Sequence, residues 1–287
     1  MDGGNLARVV AAMNREDAET LLRTAGQADD NDIDIALTAL AFAARARSEA
    51  GAARYQRHLA TLAQDVAAVA APAGDLAAQI AALQHVLIAT HGYQGDRTTY
   101  DDLRNADLAH VIERKRGLPV ALAILWLHAA RAQGWTVNGI NFPAHFLLQM
   151  ECGGAGVFID PFNGGRMLTT AELQEMLKTM MGPEAELDAE HLAPLSNRGI
   201  LLRLQNNIKI RLLKNGRLAD ALAVLEGMLL LAPGKPGLWR EAGLIHAQAE
   251  NLRAAQTCLK TAMELAESEA ARQRIGVELA AVRGKLN

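Results

Sequence analysis

Over most of the first 90 residues, apolar and polar positions recur with the period of a helix. In "DDNDIDIALTALAFAARARSEAG", Ile33, Leu37, Leu40 and Ala44 share one helical face, behind an acidic start that suits the helix dipole and ahead of Gly51. Asn14, followed three residues later by Asp17, predicts an N-cap in front of "AETLLRTAG". "YQRHLATLAQDVAAVAAPAG" reads as a third helix stopped by Pro72 and Gly74, and "DLAAQIAALQHVLIATHGYQGD" as a fourth closed at His91-Gly92.

The texture then changes. "DLAHVIERKRGLPVALAILWLHAARAQG" predicts two helices split at Gly117, with Pro119 in the first turn of the second. Apolar residues run nearly all round that second helix from 120 to 130, so it should be buried on most sides. "WTVNGINFP", "AHFLLQM" and "GVFIDPF" are short β-branched or aromatic runs bounded by Gly or Pro, and they predict strands. If the last two form a hairpin, a turn at Cys152-Gly153 sets His145 opposite Asp160. A turn over 152–155 sets the two diagonally. Either register puts both side chains on one sheet face, whereas a loop of odd length would separate them.

From about residue 196 the pattern is helical again, with a period of 34 residues that aligns Ala221 with Ala255, Leu225 with Leu259 and Met228 with Ala262. Trp239, Gly243, Ala255 and Ala262 occupy the large and small places of a tetratricopeptide helix pair, where small residues let helices approach closely. A generic array of helical hairpins is the plainer alternative. The first unit is degenerate, with Gln205 where an aromatic is expected, and "SEAARQRIGVELAAVRGKL" reads as a capping helix.

Composition adds mostly exclusions. The 287 residues leave room for two or three domains. A net charge of -3 argues against nucleic-acid binding by broad phosphate neutralisation. The most apolar run, "GLPVALAILWLHAA", is too short for a membrane span, and "MDGGNLARVVAAMNRED" lacks the apolar core of a secretory signal. Two cysteines, Cys152 and Cys258, give neither a disulfide framework nor a metal finger, so a cytoplasmic location is expected. No metal-ligand cluster or cofactor motif is present, and the expectation is no metal and no cofactor. "ERKRG" at 113–117 reads as a solvated helix end, and "NGG" at 163–165 as a turn leaving a strand.

The run from "YQGDRTTYDDLRNADLAHVIERKRGLPVAL" through "NFPAHFLLQM" to "FIDPFNGGRML" resembles the SirB-type transglutaminase-like family, bacterial proteins that join such a domain to tetratricopeptide repeats. "LQNNIKIRLL" and "LWREAGLIHAQAENLRAA" resemble that family's carboxyl half, and the similarity covers about 85 to 260. In the wider transglutaminase and papain-like superfamily a cysteine starts a helix packed on the sheet, and histidine and aspartate follow on strands. By that resemblance His145 and Asp160 match the second and third catalytic places. The matching helix start, "GLPVALA", offers no nucleophile, because no cysteine, serine or threonine lies between Asp107 and Trp135.

These readings predict a mostly helical α+β protein: a helical region at 1–90, a transglutaminase-like core with a short antiparallel sheet at 91–195, and tetratricopeptide-like repeats with a capping helix at 196–287. The function expected is a catalytically silent scaffold that binds a protein or peptide through the repeats, possessing no nucleic-acid or membrane partner and playing a regulatory role. The repeat phase points to Arg203, Asn206, Ile210, Arg240 and Leu244 as the residues that touch the peptide. His145 and Asp160 then serve as a hydrogen-bonded pair that fixes the hairpin, as part of a ligand pocket, or as the base and its support in a cysteine-independent amide or ester hydrolase.

Overall fold

A computed structural model describes residues 13–46, 52–71 and 74–286. The first twelve residues of the expected helical region and the stops at Gly51 and Pro72 lie outside the described residues. Twelve α-helices are described: α1 (Arg15–Gln27), α2 (Ile35–Ala46), α3 (Ala52–Val69), α4 (Leu76–Leu83), α5 (Leu108–Arg114), α6 (Pro119–Arg131), α7 (Thr170–Met181), α8 (Asn197–Lys214), α9 (Leu218–Leu231), α10 (Pro236–Gln248), α11 (Leu252–Leu265) and α12 (Glu269–Gly284). A π-helical segment, Gln84–Thr90, prolongs α4. The strands are β1 (Gln94–Gly95), β2 (Arg116–Gly117), β3 (Thr136–Ile140), β4 (Leu147–Cys152), β5 (Ala155–Asp160), β6 (Arg166–Leu168) and β7 (Pro194–Leu195).

The caps follow from the sequence. Asn14 accepts from the Asp17 amide, and the Asp17 carboxylate accepts from the Asn14 amide, which pairs two donors that a helix start otherwise leaves orphaned. The acidic stretch does more than face its own helix. Asp34 accepts from the Leu37 amide of α2, but Asp30 reaches across the fold and accepts from the Asn197 and Arg198 amides at the start of α8. Helix α2 is buried from Ile35 to Ala43 with little interruption, because α1, α3, α6 and α8 all pack on it.

Five strands form an antiparallel sheet in the order β6-β5-β4-β3-β7. In the β4–β5 hairpin Cys152 pairs with Ala155 and Leu148 with Ile159, the register of the wider turn. Gly153 and Gly154 make the turn at φ 57° and 81°, a left-handed pair that glycine adopts without penalty. One sheet face, through Leu148 and Met150, joins a large core that also holds α6, the first helices and both helices of the first repeat unit. The opposite face, through Ile140 and Leu147, packs on Leu173 and Leu177 of α7.

The second repeat unit divides between two clusters: Leu238, Ala242 and Ile245 of α10 join the large core, while α11 and α12 build a smaller one. Helices α9 and α11 begin and end 34 residues apart, as the period requires. Ala255, Leu259 and Ala262 of α11 form a cluster with Ile275, Leu279 and Val282 of α12, and Trp239 packs against it. A Cβ on Gly243 would lie 2.7 Å from Leu259 Cγ, so the side-chain-free position is what lets α10 and α11 meet.

The basic run 113–117 departs from the expected solvated helix end. Glu113 accepts from Arg54 and Tyr55, and Arg114 pairs with Asp96 at 3.0 Å. Lys115, at φ 57°, puts Nζ 3.2 Å from both the Tyr93 hydroxyl and His58 Nε2. Glu113, Arg114 and Lys115 thus meet partners remote in sequence, while Arg116 stays exposed; burial and the neighbouring Lys115 charge push the His58 imidazole down to about 4.

Candidate functional site

Three elements converge beside the buried end of α6. The β3–β4 loop carries His145, which follows Ala144 at φ 53° in a turn closed by the His145 amide donating to the Phe142 carbonyl at 3.0 Å. Strand β5 ends at Asp160, only 1 % exposed. The two side chains meet with His145 Nε2 2.9 Å from Asp160 Oδ2, which turns the diagonal register into direct contact.

Asp160 is the hub of its corner. Its Oδ1 accepts from the Phe162 and Asn163 amides at 3.0 and 3.2 Å, and Oδ2 also accepts from Asn163 Nδ2 at 2.6 Å. Burial alone would raise the carboxyl pKa, but the His145 bond and charge, with the Asn163 side chain and backbone, outweigh it and hold the group below its ordinary range. Asp160 therefore stays ionised and fixes the imidazole through Nε2, which leaves Nδ1 as the ring nitrogen not engaged by the aspartate.

A cavity of about 230 Å³ opens at this imidazole. Leu118, Pro119 and Val120 of the α6 start form one wall, Ala144, His145 and Phe146 a second, and Tyr100, Arg203, Asn206 and Asn207 close it. Arg203, from α8, donates to the His145 carbonyl at 2.7 Å and to Asn141 Oδ1, so α8 anchors the loop that carries the histidine. Tyr100 and His145 both meet the Phe162 ring edge to face, at 5.9 and 6.1 Å between centroids. Arg211 supports Tyr100 from behind: it donates to the Tyr100 carbonyl at 3.4 Å, pairs with Asp101 at 3.2 Å and holds the Asn207 carboxamide at 3.1 Å.

This is a helix start, a histidine and an aspartate set around one cleft. The transglutaminase-like superfamily model matches residues 53–206, more than half of the chain, and takes in all three. The chain belongs to the transglutaminase-like superfamily. A tetratricopeptide repeat model matches residues 208–280 of this transglutaminase-like protein, beginning within α8. The chain is 34% identical over 190 residues to a UPF0162 protein of Xylella fastidiosa, covering 65% of this chain and 68% of that protein. It is 35% identical over 160 residues to a UPF0162 protein of Vibrio cholerae, covering 55% and 59%. F-box only protein 21 of Pongo abelii is 32% identical over 104 residues, which is 33% of this chain and 17% of that protein.

Within this transglutaminase-like cleft the helix start presents Leu118, Pro119 and Val120, none of which can ionise. Neither cysteine lines the cavity: Cys152 sits at the hairpin tip, where its Sγ lies 3.5 Å from Gln79 Nε2, and Cys258 lies in α11 with its thiol pKa pushed up by burial. Of the five residues placed on the repeats by phase, Arg203 and Asn206 join His145 at the cavity. Ile210 and Leu244 are surface residues, 41 % and 37 % exposed. Arg240 turns toward the capping helix, its Nε 2.8 Å from a Glu278 oxygen. Tyr100, Asn163, Asn207 and Arg211 were not singled out from the sequence. Arg203, Asn207 and Arg211 recur every four residues along α8, a polar stripe on a helix that buries Leu201, Leu204 and Leu212. That spacing was the available signal.

Proposed function

We propose that this chain is a catalytically silent transglutaminase-like scaffold that binds a protein or peptide partner in the cytoplasm, in a regulatory role. The observation that carries the reading is the composition of the cleft. Its catalytic helix start is lined by Leu118, Pro119 and Val120, while Arg203 and Asn206 of the first repeat helix face the same space. A wall without a nucleophile cannot form an acyl-enzyme, but a half-buried arginine beside carboxamides suits an extended polypeptide with free backbone groups. In this reading Ile210, Arg240 and Leu244 continue the surface along the repeats. The ion pairs Lys209–Glu241 and Arg240–Glu278 join α8, α10 and α12 into one row.

A second reading rests on the His145–Asp160 pair, in which an ionised aspartate holds an imidazole that could activate water for amide or ester hydrolysis. One experiment separates the two. The whole chain and its Arg203→Glu, Arg240→Glu and His145→Ala variants serve as baits in a native cell extract, and each is assayed against a panel of activated esters and anilides. The scaffold predicts a partner retained by wild type and His145→Ala, lost by Arg203→Glu, and no turnover. Turnover that disappears with His145→Ala, while folding is kept, would establish the hydrolase instead.

A further inference from the structure

The charge balance of the cavity says what it should hold. Arg131 and Lys115 also donate only to neutral partners, but neither lines this cavity; other cations in this part of the fold have carboxylate partners: Arg114 pairs with Asp96, Arg198 with Asp30, Lys209 with Glu241 and Arg211 with Asp101. Arg203 donates instead to two neutral acceptors, the Asn141 carboxamide and the His145 carbonyl, and among the described residues it has no carboxylate partner. Its face also lies over the Phe146 ring, 5.6 Å from the centroid, so water is excluded on that side. Burial lowers its pKa.

Two further features carry the same sign. Helix α6 begins at Leu118 without a side-chain cap, so the Val120 amide at the cavity wall has no intrahelical acceptor and lies at the positive end of the helix dipole. Asn206, which also lines the space, supplies a carboxamide donor. One uncompensated cation and one helix start match a single negative charge.

We infer that the cavity beside His145 is a carboxylate-binding subsite that takes one carboxylate of the bound polypeptide, supplied by a chain terminus or an acidic side chain. The inference rests on the scaffold reading for the identity of the ligand as polypeptide, but not for the chemistry of the pocket. A space of about 230 Å³ accommodates a carboxylate and the residue that bears it. Arg203 and the Val120 amide would hold the oxygens, and Asn206 and Asn207 the adjoining backbone.

The test is a titration of the isotopically labelled full chain followed by nuclear magnetic resonance, reading the Val120 amide and the Asn206 carboxamide. Three probes are used: N-acetylalanine, its amide, and the α-amide of N-acetylglutamate. Saturable shifts with the first or third probe and none with the second are expected, and the tighter of the two carboxylates identifies the source. Asn206→Asp places a negative charge in the cavity without touching the bonds that Arg203 makes. It should weaken carboxylate binding about tenfold or more while the melting temperature stays near that of wild type. Equal binding of the amide, no saturable shift with either carboxylate, or unchanged binding by folded Asn206→Asp would overturn the inference. Carboxylate binding without any Arg203-dependent partner would leave the subsite standing and remove the scaffold; a retained partner without carboxylate binding would do the reverse.

Discussion

The two repeat units arise from one period and yet differ in their surroundings. Helix α8 of the first unit is part of the large core; it takes a cap from Asp30, packs Ile200 and Leu201 inward, and turns Arg203 into the cleft. Helix α10 of the second unit gives Leu238, Ala242 and Ile245 to the same core but sets Trp239 against a smaller cluster, and its Arg240 is satisfied by Glu278 on α12. Similar side chains thus have different employment. Arg240 closes a contact with the capping helix, whereas Arg203, within the residues that the transglutaminase-like model matches, completes the cleft.

The largest effect should come from the cleft side of that comparison. Asp160→Ala removes a carboxylate that serves His145, Asn163 and two backbone amides, and should cost about 3–5 kcal/mol in denaturant unfolding, since it strands buried polar groups. Because its pKa in the folded chain lies below the ordinary 3.8, Asp160 contributes stability that is complete above that pH and is lost as pH falls through the lower folded value. The variant should therefore show a flatter acid limb. A loss under 1 kcal/mol would mean that the corner does not depend on its hub.

Next is the outer unit. Gly243→Val forces a side chain against Leu259 and should cost about 1–3 kcal/mol, with faster hydrogen exchange confined to α10, α11 and α12. Exchange that quickens equally in α6 and the sheet would show that the two clusters unfold as one and would erase the contrast. The smallest effect distinguishes the arginines themselves. Arg240→Ala loses a partly exposed ion pair, worth about 0.5–1 kcal/mol, and high salt should shrink that loss. Arg203→Gln should change stability less, because the lost bonds to neutral acceptors are offset by relief of an unpaired buried charge. Reversed magnitudes in thermal melts would place the compensating charge at Arg203 after all.

Much of this site was legible before the fold. The hairpin parity put His145 and Asp160 on one face, and the gap from Asp107 to Trp135 showed the helix start to lack a nucleophile. The steric pattern of Trp239 and Gly243 marked the second repeat, and in the structure Trp239 donates to the Pro233 carbonyl at 2.7 Å while Gly243 admits Leu259. Other features were not legible because their partners are remote in sequence. "ERKRG" looked like a solvated end because nothing local shows that Asp96, His58 and Tyr93 lie against it. Tyr100 and Arg211 are 111 positions apart, and each looks like an ordinary surface residue until the chain brings them together.

The sequence by itself determined the local grammar: the N-cap at Asn14, the buried helix after Pro119, the 34-residue period and the missing nucleophile. Each of these depends on residues within a few positions of one another, or on a repeat that can be counted along the chain. Only the tertiary structure decided that Arg203 and Asn206 face His145 while Arg240 faces Glu278. Periodicity tells which side of a helix a residue is on, but not what lies across from it. That depends on how α8 is docked, through the Asp30 cap and the shared core, against a loop and a strand end that carry His145 some fifty and Asp160 some forty residues before α8 begins.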